Sequence, residues 1–217
     1  MEVNKDLGNY RKVYEKKELS KTTVPENPLE LFQKWFYEVE EFGGDVEVNA
    51  MTLSTFGLDG FPNSRVVLLK KYTWEGFIFY TNYLSDKGKA IEQNPNVCIS
   101  FFWNNLERQV IIKGTAEKIA ENLSDGYFES RPDGSKLGAW ASEQSNIVPS
   151  RKYLDSRLTS YEEQFKNQEI PRPKHWGGYL VRPLSIEFWQ GRPNRMHDRI
   201  RYTLQENFDW KIDRLAP

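Results

Sequence analysis

The chain has 217 residues, and its 30 basic and 31 acidic side chains leave a net charge of −1, too even to gather nucleic acid by a global field. Aromatic residues make up 14%, which favours a packed β-rich fold or a flat ligand over disorder. The single cysteine, Cys98, excludes an internal disulfide and, within NVCISFFW, reads as a small buried hydrophobe.

The opening MEVNKDLGNYRKVYEKKEL is charged throughout and has no apolar core of the kind a secretory signal carries. No run approaches the length of a membrane span, so the expected compartment is the cytoplasm. Residues 1–26 are polar and expected to be mobile; residues 27–217 are expected to form a single domain. ENPLELFQKWFYEVEEF starts a helix, with Asn27 as cap, Pro28 in the first turn and Glu30 completing a capping-box pattern. Phe32, Trp35, Phe36 and Val39 would form its apolar face.

From residue 50 the period changes. AMTLSTF, NSRVVLLK, GFIFYTN, NVCISFFW and RQVIIKGTAEKI are short and rich in β-branched and aromatic residues, with GLDG and Gly76 as turns. A short helix is expected after Ser85, another over about 121–130, ending by Pro132, and a third from Ser150 to about Lys166. The third has Leu154, Leu158, Tyr161 and Phe165 at helical spacing. YLVRPLSIEFWQ, RIRYTL and WKIDRL return to strands. Many consecutive strands with helices inserted at intervals suit an antiparallel barrel, mainly β with flanking helices (α+β). Rossmann, Walker and G-x-S-x-G patterns are absent, and His175 and His197 are too few and too far apart to make a metal site.

Four local groups could meet an anion. Arg65 and Lys70 stand at the two ends of NSRVVLLK, a separation of five that puts them on opposite faces, so they need not hold the same group. Ser85 can cap a helix whose first turn holds Lys87, and a helix N-terminus with a lysine suits a phosphate. Tyr127 and Arg131 are four apart, with Ser135 just beyond. In EFWQGRPNRMHDRIRY, finally, Arg195, His197 and Arg199 would share one face of an extended segment. Each group alone is more simply an ordinary surface feature; together they suit a phosphorylated flat cofactor meeting a phosphorylated substrate.

RVVLLK, FYTN, LERQV, SRPDGSKLGAWAS, EQS, HWGG, IEFWQGRPNRMHDR and WKIDRLAP, in this order, resemble the pyridoxamine/pyridoxine 5′-phosphate oxidase family. The resemblance implies a split β-barrel flavoprotein that binds FMN noncovalently at a homodimer interface. It also implies oxidation of pyridoxamine or pyridoxine 5′-phosphate to pyridoxal 5′-phosphate, with dioxygen reduced to hydrogen peroxide. Carried over, the FMN contacts fall on Arg65, Val66, Val67, Leu68, Leu69, Lys70, Tyr80, Thr81, Lys87, Gln109, Gln144, Ser145, Trp189 and Arg199. Lys70, Tyr127, Arg131 and Ser135 match substrate contacts, which would hold the phosphate; Arg195 and His197 would meet the pyridine side as the catalytic pair. Arg11 and Tyr14 resemble residues that close over the ligand. One position departs: the family usually reads Ser-Arg-Lys where this chain has Ser85-Asp86-Lys87. The rival reading is a non-catalytic flavin- or B6-phosphate-binding protein on the same barrel. The Arg195–His197 pair and the Tyr127–Arg131–Ser135 group favour the enzyme, because a carrier needs neither.

Overall fold

The first helix begins where its cap dictates. In the computed structural model, which describes residues 5–10 and 12–217, α1 spans Pro28–Phe42. The Asn27 side chain accepts a hydrogen bond from the Leu29 amide at 2.9 Å, and Pro28 fills a first-turn position where its missing N–H costs nothing. Phe32, Trp35, Phe36 and Val39 are all buried, as their spacing requires.

The rest follows in chain order as β1 (Ala50–Phe56), β2 (Pro62–Leu68), β3 (Lys71–Thr73), β4 (Gly76–Asn82), α2 (Asp86–Gln93), β5 (Asn96–Trp103) and β6 (Arg108–Lys118). Then come α3 (Glu121–Glu129), α4 (Asp133–Ala141), α5 (Arg151–Gln164), β7 (Trp176–Gln190), β8 (Asp198–Leu204) and β9 (Trp210–Leu215). The strand order is β2-β1-β5-β6-β7-β4-β3, with β8 on β7 and β9 on β8. The pairings β1–β2, β1–β5, β3–β4, β4–β7, β7–β8 and β8–β9 are antiparallel. Among the described residues no helix is long and apolar enough to cross a membrane.

The chain divides into two compact units. The terminal unit holds the residues through Val48 with Phe101–Ile111 and Ser185–Pro217. Its core is aromatic: Phe32 meets Phe101 edge-on at 5.3 Å, and Trp35 meets Phe188 at 5.2 Å. Burying side chains of this size contributes roughly 1.5–3 kcal/mol each. Arg108, only 3% exposed, lies 4.4 Å over the Trp35 ring and donates to Gln190 and Glu38.

The central unit holds Asn49–Ser100 and Ile112–Leu184. Here β4 pairs with β7 from Phe77↔Val181 to Asn82↔Trp176. Two glycines in HWGG make this pairing compatible with bulky neighbours. A Cβ on Gly177 would collide with the Tyr83 hydroxyl, and one on Gly178 with Ile119 and, at 2.9 Å, with the Tyr80 ring.

Three segments depart from the sequence reading. α3 stops before Pro132 as expected, but α4 starts directly after it. Pro132 sits at the N-cap with φ −57° and ψ 143°, a conformation that ends one helix and opens the next. Two glycines in DGSKLGAWA hid that helix, since glycine is a poor helix former. In α5 no residue is fully buried; its Tyr161 and the following Phe165 stack on each other at 6.2 Å and meet the Trp140 ring at 5.7 and 5.4 Å. The third departure is the stretch around Arg195. Pro193–Arg195 form a 3-10 turn with Asn194 and Arg195 at φ 56° and 61°, so the extended row expected there begins only at Asp198.

Candidate functional site

The central unit contains a cavity of about 690 Å³ lined by four cations, Arg65, Lys70, Lys87 and Arg131, and, among the described residues, by no carboxylate. Arg65 and Lys70 reach the same cavity because β2 ends at Leu68, so the two-residue alternation does not carry through to Lys70. The Arg65 guanidinium donates through Nη1 to Thr55 Oγ1 at 2.8 Å, Asn63 O at 2.9 Å and Leu53 O at 3.3 Å. All three acceptors are neutral, so no hydrogen-bonded carboxylate cancels its charge. Burial pushes the Arg65 pKa down, and Asp86 partly offsets this.

Lys87 arrives from the first turn of α2, whose cap Ser85 accepts from the Gly88 amide. Its Nζ donates to Gln144 Oε1 at 2.8 Å and Ser85 Oγ at 3.2 Å. Burial, with Arg65 nearby, pushes Lys87 down to about 8, against the attraction of exposed Asp86. Gln144 also accepts from Thr81 Oγ1 at 3.3 Å, and Ser145 Oγ accepts from the Asp86 amide at the same distance.

Tyr80, Tyr127 and Trp176 stack nearly parallel, with ring centroids 4.0 Å apart for the tyrosines and 5.3 Å for Tyr80 and Trp176. Arg131 lies 4.5 Å over the Trp176 ring, and burial lowers its pKa, with Tyr127 opposing. Its Nη1 is buried with no hydrogen-bond partner, a costly arrangement that an anion in the cavity would relieve. Val66, Val67, Leu68, Thr81, Ser135 and Gln144 also line the cavity. Leu69 and Ser145 do not: Leu69 is 4% exposed in the core, and Ser145 stands at the N-terminus of α2.

The remaining candidates belong to the terminal unit. Arg195 and His197 line a cavity of about 540 Å³ with Tyr10, Lys12, Val13, Tyr14, Arg192 and Asn194. Trp189 packs on His197 at 4.7 Å, and Tyr14 meets both rings edge-on at 5.7 and 5.8 Å. The His197 Nδ1 accepts from the Arg192 amide at 3.1 Å, which fixes the ring. Burial, then Arg195, lowers the His197 pKa and favours the neutral imidazole. Arg199 is not part of this cavity. It donates to Glu187 at 2.8 Å and to Ala216 O at 2.9 Å, and the Glu187 bond holds its pKa up. Gln109 is half-buried in β6. Arg11 lies outside the described residues.

Five lining residues of the central cavity were not singled out from the sequence: Asn82, Gly138, Ala139, Ser142 and Trp176. Trp176 was signalled by the HWGG block, where the paired glycines point to close packing of rings. Asn82 ends both the FYTN block and β4, and accepts from the Leu84 amide while donating to Ser142 O.

A family profile described as "Pyridoxamine 5'-phosphate oxidase" matches residues 38–165, and one described as "Pyridoxine 5'-phosphate oxidase C-terminal dimerisation region" matches residues 176–217. A pyridoxine/pyridoxamine 5′-phosphate oxidase of Flavobacterium johnsoniae is 67% identical over 211 residues, covering 97% of this chain and 99% of the relative. Its counterpart from Christiangramia forsetii is 51% identical over 215 residues, covering 99% and 100%. Among solved structures, PhzG of Burkholderia lata in complex with tetrahydrophenazine-1-carboxylic acid is similar at TM-score 0.84 and 28% identity, covering 90% of this chain and 95% of PhzG. A pyridoxamine 5′-phosphate oxidase-related FMN-binding protein from Nostoc punctiforme shares the fold at TM-score 0.70 and 15% identity, covering 89% and 100%. These likenesses agree with the expected split β-barrel.

Proposed function

The chain belongs to the pyridoxamine 5′-phosphate oxidase family, and from that premise we propose that it oxidises pyridoxamine and pyridoxine 5′-phosphates to pyridoxal 5′-phosphate. In this reading it binds FMN and reduces dioxygen to hydrogen peroxide. The observation that carries the proposal is the central cavity, with four cations and no carboxylate in its lining beside a stack of three rings. Such a cavity suits flat molecules bearing phosphates. The buried, unpartnered Nη1 of Arg131 is a donor that suits an anionic ligand in this cavity.

The residues present fit FMN. Arg65, Lys87, Ser145 and the amide end of α2 would hold its phosphate, with Gln144 and Thr81 beside them. Val66, Val67, Leu68 and Lys70 would lie along its ring; the family resemblance implies cofactor roles for Gln109, Trp189 and Arg199, the last of which would have to share its guanidinium with Glu187. A bound FMN would supply the acceptor for the substrate hydride and the route by which its electrons reach dioxygen.

The side chains of the protein do the positioning. Tyr127, Arg131 and Ser135 grip the substrate phosphate and so fix one end of the molecule, which turns a bimolecular encounter into an oriented one. Arg195 donates to the reacting end and orients the carbon that becomes the aldehyde. His197, neutral and held through Nδ1, offers its other nitrogen to the pyridine side. The working unit in this proposal is a homodimer that encloses the flavin, in keeping with the matched dimerisation region at residues 176–217.

Two measurements test the reading. Purified protein should show a flavin absorbance spectrum that bleaches on anaerobic addition of pyridoxamine 5′-phosphate. A flavin spectrum that persists would establish the non-catalytic carrier instead. Sedimentation should show a dimer; a monomer with full FMN and full turnover would refute the shared site.

A further inference from the structure

Glu107 occupies a position that favours another residue. It follows the 3-10 turn Asn104–Leu106 with φ 56° and ψ 43°, the left-handed region where glycine or asparagine fits without strain. It is also a carboxylate only 2% exposed, and a buried carboxylate is costly unless donors surround it. A strained, buried, charged residue persists only where its side chain does something that offsets both costs.

The carboxylate is spent on the N-terminal segment. Glu107 Oε2 accepts the backbone N–H of Glu15 at 3.0 Å and that of Lys16 at 3.1 Å. Lys12 Nζ stands 4.0 Å from Oε1. The Glu107 backbone is itself anchored, since its carbonyl accepts from the Gly191 amide at 2.8 Å and from Gln190 Nε2 at 3.2 Å. Gly191 completes the clamp: a Cβ there would stand 2.8 Å from Tyr14 Cβ and 3.0 Å from Glu107 Cβ. Tyr14 immediately precedes the two latched amides, and its ring rests on Trp189 and His197.

We propose that Glu107 is a positioning residue for substrate binding, a latch on the Glu15 and Lys16 amides that holds Tyr14 against His197 and Trp189. The role rests on the oxidase reading for its kinetic consequence, while the latch itself can be measured without turnover. Glu107→Gly removes the carboxylate and relieves the left-handed strain, so the fold is expected to survive. Glu107→Gln keeps an oxygen able to accept both amides. Should the glycine variant not fold, Glu107→Asn takes its place, since asparagine tolerates this backbone but is too short to reach.

Limited trypsin digestion of the purified holoprotein reads the latch through cleavage after Lys16 and Lys17. Cleavage there should be about tenfold faster in Glu107→Gly and within about threefold of wild type in Glu107→Gln. Wild-type rates in the glycine variant, or equal acceleration in both variants, would overturn the latch. In steady-state kinetics, Tyr14→Ala and Glu107→Gly should each raise KM for pyridoxamine 5′-phosphate by about tenfold, with a smaller change in kcat. The double variant should add nothing further. An unchanged KM in Glu107→Gly, or fully additive effects, would overturn the positioning role. If the wild-type protein does not oxidise pyridoxamine 5′-phosphate at all, the proposed function fails and the digestion alone decides the latch.

Discussion

The two cavities hold their cations in different ways. In the central unit, Arg65 and Lys87 donate only to carbonyl, hydroxyl and amide oxygens. In the terminal cavity Arg192 pairs with Glu18 and Asp198, and elsewhere in that unit Arg108 pairs with Glu38, Arg199 with Glu187 and Arg214 with Asp198. Neutral acceptors hold a cation in place without cancelling its charge, so the central cavity keeps an attractive field for phosphate. Carboxylates cancel it, and there the arginines mainly organise structure. Arg195 is the exception in the terminal cavity: it is exposed and has no ion pair among the described residues. Charge count therefore does not reveal which arginines can meet a ligand; the identity of their acceptors does.

The comparison breaks most sharply at Arg195. Arg195→Met should lower kcat/KM for pyridoxamine 5′-phosphate by roughly tenfold to over a hundredfold, the cost of about 1.5–3 kcal/mol for one charged hydrogen bond. FMN content, read from absorbance, should stay at the wild-type level. Unchanged efficiency would remove Arg195 from the site, and loss of flavin would assign it to the wrong ligand.

Lys87 sharpens the central half. Phosphate binds best to the protonated amine, so FMN affinity should fall as pH rises above about 8, approaching tenfold per unit until the pKa of the complex is reached. Lys87→Gln should weaken binding by about tenfold at neutral pH and abolish that slope. The apoprotein has the opposite sign. With its folded pKa depressed below 10.5, Lys87 makes the fold gain stability as pH rises from about 8 towards that value. Titrating apoprotein with FMN across this range checks the binding slope, and denaturant unfolding without FMN checks the stability slope.

The smallest effect is expected at Asp86, where an exposed carboxylate stands in place of the family's arginine. Asp86→Arg should tighten FMN binding a few-fold at low ionic strength and by less at high salt, because solvent and ions screen an exposed charge. Equal affinities for both proteins at low salt would place this position outside the cofactor site.

Much of the fold was legible locally. Asn27-Pro28 and Ser85 marked their helices because caps satisfy backbone donors within two or three residues. GFIFYTN, NVCISFFW and WKIDRL coincide with β4, β5 and β9 because β-branched and aromatic runs between turns carry their own conformational preference. The motif blocks likewise gathered most of the central cavity from scattered stretches. What neighbours in sequence could not specify was charge compensation and close approach. Arg199 is committed to Glu187, twelve residues away, and Arg108 to Glu38, seventy away. The left-handed turn at Asn194 and Arg195 separated a row that alternation had joined. Glu107 looked like one charged residue in LERQV until its carboxylate was found on amides more than ninety positions earlier. Local sequence determined where the backbone bends and which faces are apolar, because those free energies arise within a few residues. Which charges remain free for a ligand was decided only in the tertiary structure, because a charge is cancelled by whatever packs against it.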